Sequence, residues 1–124
     1  MKETNKDLIA ASLAPMILMI LRNGENYGYE IIQQLKDKSG GRLEVAEGTL
    51  YPVLKKMEEK EWISATMKKA DNGRERRYYV ITRKGKSSLE TQLAQWNFFN
   101  QLIEKLWNPT LSILSSPHMR ISVR

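Results

Sequence analysis

The chain has 124 residues, with 20 Lys and Arg against 14 Asp and Glu, one histidine and no cysteine. That length suits one domain with at most an appended element, and 41% hydrophobic residues are enough to bury a core. The missing cysteines exclude disulfide scaffolds, thiolate nucleophiles and Cys-based zinc sites, and the single histidine, His118, excludes His-rich metal centres.

The first predicted element is a helix over residues 5–22. Its apolar run from Leu8 to Leu21 is interrupted only by Ser12 and Pro15. It is shorter than the roughly 20 residues a bilayer span needs. Glu3 and Asp7 interleave with Lys2 and Lys6, unlike the cleanly basic start of a signal peptide. A buried helix is therefore expected, in a cytoplasmic protein with no membrane partner. Pro15 is expected to kink it or to start a second half, and Asn23-Gly24 to stop it. Asn26 is read as the cap of a second helix, along which Tyr27, Ile31, Ile32 and Leu35 form an apolar stripe. Ser39-Gly40-Gly41 breaks the chain next.

A third helix is predicted from about residue 46 to 60. Leu50, Val53, Leu54 and Met57 recur at core spacing, while Thr49, Tyr51, Lys55, Lys56 and Glu59 occupy the opposite face. Pro52 is expected to fall in or beside the first turn, where few amides have intrahelical partners. From Trp62 the period becomes two. Ile63, Ala65 and Met67 alternate with polar residues, and Tyr78 and Val80 alternate with Arg77, Tyr79 and Ile81. Asn72-Gly73 between these runs predicts a hairpin turn with positive φ at both residues.

Thr82 is placed to cap a last helix over residues 83–108. Leu89, Leu93, Trp96 and Phe99, then Leu102, Ile103, Leu106 and Trp107, put most of its apolar residues on one stripe that needs covering. Pro109 would end it, and residues 109–124 read as a loosely ordered tail. The charge is concentrated. Residues 68–86 hold eight basic side chains and two acids, so this segment carries the whole formal excess of +6. A localised basic patch on a neutral body points to a polyanion as partner.

Two amphipathic helices followed by a basic hairpin define the expected fold class. It is mainly α with a two-stranded β wing, a winged helix-turn-helix plus a long C-terminal dimerisation helix. The expected division is a DNA-binding domain over residues 1–82, a dimerisation helix over 83–108 and a tail over 109–124. The chemistry suits double-stranded DNA. A helix fills the major groove and can present Thr49, Tyr51, Pro52, Lys55 and Lys56 there. The wing can lay Lys68, Lys69, Arg74 and Arg76 along phosphates, and Tyr29 is read as a further phosphate contact. Arg77 is expected to pair internally with an acid such as Glu75. Glu58, Glu59 and Glu61 do not make a catalytic pair, and His118 lacks a nucleophile partner. Ser39-Gly40-Gly41 lacks a Walker lysine. No enzyme activity, catalytic residue, cofactor or metal is expected.

Three coupled segments also resemble a known family. Residues 18–35 (LMILRNGENYGYEIIQQL), 47–58 (EGTLYPVLKKME) and 73–85 (GRERRYYVITRKG) are similar to those of PadR transcriptional regulators of bacteria, in order and spacing. The resemblance covers residues 8–107 and fits the short type, with a single C-terminal helix. It implies a homodimer paired through the first and last helices and repression through pseudo-palindromic operators. Some short members also bind aromatic or drug-like effectors in the dimer interface, using a Trp on the last helix. Trp96 occupies that kind of position here. The competing reading is a winged-helix module for RNA or a protein partner without operator specificity. Because duplex RNA hides its major groove, such a module would ignore Tyr51→Ala and depend on the wing alone.

Overall fold

The structure, a computed structural model, describes residues 6–108. In chain order its elements are α1 (Lys6–Arg22), β1 (Asn26–Tyr27), α2 (Gly28–Lys38), α3 (Glu47–Glu59), β2 (Ile63–Lys69), β3 (Glu75–Ile81) and α4 (Arg83–Trp107). They fall into two compact units that divide after Glu90, within α4.

The first unit is built around α1. Leu13, Ile17 and Leu18 are fully buried, and they meet Ile31 of α2, Leu50 and Leu54 of α3, Ile63 of β2 and Tyr79 of β3 in one core. The helical spacing read from residues 50–57 holds, with Leu50, Leu54 and Met57 inward. α1 continues through the buried Pro15 as one helix. Pro52 is the sixth residue of α3, so it lies past the first turn. Lacking an N–H, it leaves the Gly48 carbonyl without its helical donor.

The sheet has three antiparallel strands in the order β1-β3-β2, one more than the sequence pattern predicts. Asn26 pairs with Tyr79 and Tyr27 with Tyr78, so Asn26 is a strand residue and not the cap of α2. The N-cap is Tyr27, and the Asn26 side chain instead accepts a hydrogen bond from the Tyr27 N–H at 2.9 Å. Two residues are too few to show a period, and Asn is commoner at helix caps than in strands. In the hairpin, the register sets Ile63 opposite Ile81 and Ala65 opposite Tyr79. Tyr79 is buried and Ile81 half-buried, whereas Val80 is exposed. The core face of β3 is therefore the Tyr79 and Ile81 face.

The hairpin tip also differs from a two-residue Asn-Gly turn. The Gly73 N–H donates to the Ala70 carbonyl at 2.9 Å and the Ala70 N–H to the Arg74 carbonyl at 2.7 Å. Only Gly73 has positive φ (83°). This is a three-residue loop closed by a left-handed glycine, and the Asn72 side chain accepts from the Arg74 N–H.

Beyond the C-cap Lys60, α3 is closed by Glu61, the only non-glycine with positive φ (63°) among the described residues. The Trp62 N–H bonds the Met57 carbonyl and the Glu61 N–H that of Glu58, a Schellman closure that normally takes glycine. Glu61→Gly should relieve the left-handed strain by about 0.5–1 kcal/mol and raise Tm by roughly 2–5 °C, read by thermal melts followed by circular dichroism. Thr82 caps α4 as expected, its hydroxyl accepting from the Gly85 N–H at 2.9 Å and donating to the Glu61 carbonyl.

Leu89 lies in the first unit. It is 3% exposed and belongs to the same core, so its side chain is not available for the dimer stripe proposed from the sequence. In the second unit the α4 residues Phe99, Ile103, Leu106 and Trp107 are exposed, the last to 87%. The expected tail and His118 lie outside the described residues.

Candidate nucleic-acid interface

α2, the loop through residues 39–46 and α3 form the helix-turn-helix. The loop is held by Ser39, whose hydroxyl donates to the Lys36 carbonyl and accepts from the Leu43 N–H. Burying Leu50, Leu54 and Met57 turns the other side of α3 to solvent. Tyr51, Pro52, Lys55 and Lys56 are exposed there and Thr49 is half-buried. Neither lysine is paired with an acid among the described residues.

A notch of about 450 Å³ lies where α2 and α3 begin and the wing rises. Residues 27–29 of the β1–α2 junction, Glu47 and Tyr51 of α3, and residues 74–77 of the wing line it. Tyr29 is exposed at its edge. Tyr51 lies directly over Gly28: a Cβ built on that glycine would stand 2.5 Å from the Tyr51 hydroxyl oxygen and 2.8 Å from Cζ. The structure thus brings Tyr29, Tyr51, Arg74 and Arg76 of the candidate residues to one place.

The wing cations are not equivalent. Arg77 pairs with Glu58 of α3 at 2.8 Å, not with Glu75. Glu75 follows the hairpin tip and stands opposite Lys69 in the strand register, whereas Arg77 shares its face with the buried Tyr79 and meets α3. The Glu58 hydrogen bond and charge raise the Arg77 pKa further. Burial raises that of the Tyr79 hydroxyl, with Arg77 opposing. Exposed ion pairs contribute under about 1 kcal/mol, so this one mainly orients the wing against α3.

Lys68 also has an internal partner, the Glu25 carboxylate, and its ammonium lies 5.3 Å from the Tyr78 ring centre. Arg76 stacks over Tyr27 at 4.4 Å, and Tyr27 meets Tyr78 edge-on. Lys69 and Arg74 are exposed, with no acid paired to either among the described residues.

In the second unit Trp96 is half-buried and lines an open recess of about 470 Å³ with Leu93, Asn97 and Asn100. Among the described residues the buried Asn97 Oδ1 has no hydrogen-bond partner. Phe98, absent from the apolar stripe read in the sequence, is 61% exposed and packs edge-on against Phe99 at 5.3 Å. It lies next to the stripe in sequence and off its three-to-four spacing, which is why periodicity passed over it. Glu58 was also missed as the partner of Arg77. Among the described residues no group of His, Cys, Asp or Glu could hold a metal, and no helix is long and apolar enough to cross a membrane.

Comparison with known proteins agrees with this architecture. The model of the transcriptional regulator PadR-like family matches residues 17–91. A protein of Lysinibacillus sphaericus is 33% identical over 98 residues, covering 79% of this chain and 90% of the relative. A transcriptional regulator from Clostridium thermocellum superposes with TM-score 0.74 at 27% identity, over 80% of this chain and 96% of that one. A PadR-like transcriptional regulator from Bacillus cereus gives TM-score 0.70 at 31% identity, over 82% and 97%. With the helix-turn-helix, the wing and these matches in agreement, the chain belongs to the PadR-like family, whose members are transcriptional regulators and not enzymes.

Proposed function

We propose that the protein is a homodimeric repressor that binds a pseudo-palindromic operator in double-stranded DNA. The observation that carries this reading is the convergence of Tyr51 of α3, Tyr29 of α2 and the wing cations Arg74 and Arg76 on one notch in the first unit. α3 enters the major groove with Thr49, Tyr51, Pro52, Lys55 and Lys56. The wing lays Lys69 and Arg74 along the flanking phosphates, with Arg76 beside them. Lys68 joins them by exchanging Glu25 for a phosphate. A cytoplasmic location follows from this role.

The domain division that goes with this role is a reading unit over residues 1–82 and a pairing helix over 83–108. Dimerisation supplies two reading helices, which must stand about one DNA turn, roughly 34 Å, apart. The exposed stripe of Leu93, Phe99, Leu102, Ile103, Leu106 and Trp107 supports pairing through α4, and the exposed Leu8 supports a part for α1. The Trp96 recess, with its ring beside Leu93, suits a flat aromatic effector. Such a ligand acts by changing the spacing of the reading helices.

A mobility-shift titration of the full chain against its own upstream region tests this. Binding should be tighter than to random duplex and weaken steeply with salt. Arg74→Ala should weaken both duplexes alike and lower the salt slope by about 0.9. Trp96→Ala should still bind the operator but lose its response to an aromatic inducer. Equal affinity for operator and random duplex would return the RNA or protein module as the better reading.

A further inference from the structure

The notch has a shape that groove contacts alone do not require. One wall is the start of α3 and the other is the wing, and its floor is Gly28 with the Tyr51 ring laid over it. On B-form DNA a helix in the major groove and a wing at the adjacent minor groove are separated by a single sugar-phosphate strand. That strand must pass between α3 and the wing. Resting on the DNA-binding reading above, we infer that the notch seats this strand and that Gly28 is the positioning residue that lets Tyr51 lie along its floor.

The chemistry fits a phosphodiester. A phosphate accepts hydrogen bonds and donates none, so it needs donors. The Tyr51 and Tyr29 hydroxyls and the Arg74 guanidinium, all on residues that line the notch, supply them. Arg76 and Arg77 also line it, but Tyr27 and Glu58 hold them. Glu47 and Glu75 line it too, so the notch is no general anion sink. It suits a strand already delivered by α3 and the wing. With its hydroxyl oxygen against Gly28, Tyr51 meets the backbone at the edge of the groove that α3 enters, and the other α3 side chains face the bases. Any side chain at residue 28 would lift the ring, because the two cannot share that space.

The test is a double-mutant cycle in the full chain, using one duplex from its own upstream region and one random duplex of equal length. Gly28→Ala should cost about tenfold in affinity for both duplexes, leaving their ratio unchanged, as expected for a lost charge-assisted hydrogen bond. Tyr51→Ala should cost at least as much. Adding Gly28→Ala to Tyr51→Ala should cost nothing further, since the glycine acts through the ring. Wild-type affinity in Gly28→Ala, or a loss that adds in full to that of Tyr51→Ala, overturns the inference. If Gly28→Ala does not fold, Tyr51→Phe decides. A similar loss on both duplexes supports the seat, and unchanged binding or a loss confined to the operator overturns it. A wild-type chain that binds neither duplex overturns the DNA reading itself, a result distinct from the failure of one variant.

Discussion

Gly85→Ala will lower Tm by roughly 10 °C, equivalent to about 2–4 kcal/mol, in thermal melts followed by circular dichroism. The cause is a collision with backbone. A Cβ on Gly85 would sit 2.0 Å from the Trp62 carbonyl oxygen and 2.9 Å from both the Trp62 carbonyl carbon and Ile81 Cγ1. That carbonyl cannot swing aside freely, because it accepts the Thr82 N–H at 3.0 Å. Thr82 in turn caps α4 and bonds Glu61, so moving Trp62 disturbs the junction of α3, β2 and α4 together. Gly48→Ala is the matched control. No atom lies within 4 Å of the added methyl, and Ala favours helix, so its Tm should equal or exceed wild type. Equal melting of Gly85→Ala and wild type would show that α4 does not approach Trp62 this closely.

The second large effect concerns assembly. On the proposed pairing through α4, Phe99→Asp combined with Ile103→Asp should give a monomer by light scattering and weaken operator binding by roughly 10²–10³-fold, since two linked half-site contacts become one. Both side chains are more than half exposed, at 56% and 61%, so the changes should leave the melting of the isolated fold nearly intact. Asp in an apolar seam is costly because the carboxylate must be stripped of water without a partner. A doubly substituted protein with the mass of the wild-type assembly would move the seam elsewhere.

The helices were legible because their signals are local and repeated. Leu50, Leu54 and Met57 recur at helical spacing, and Thr82 stands where a helix must start. The basic wing was equally plain, since charge is read directly from composition. What escaped were facts about partners. A stripe shows that a face needs cover but not which surface covers it, so Leu89 looked the same as Ile103 although one is in the core and the other is bare. Arg77 has an acid two residues away in sequence, yet the sheet aims it at Glu58, nineteen residues distant. The Gly28–Tyr51 contact joins two helices and has no sequence period at all.

The short strand β1 changes the thermodynamics expected of DNA binding. By pairing Asn26 and Tyr27 with β3, it fastens the wing to the segment that opens α2. Arg76 on Tyr27 and Arg77 on Glu58 fasten it twice more. Such a wing has little conformational freedom left to lose when it meets a duplex, so the ordering cost of association falls mainly on the tip and the long cationic side chains. The heat-capacity change of binding should therefore match the surface buried at the contact, with no added signature of coupled folding.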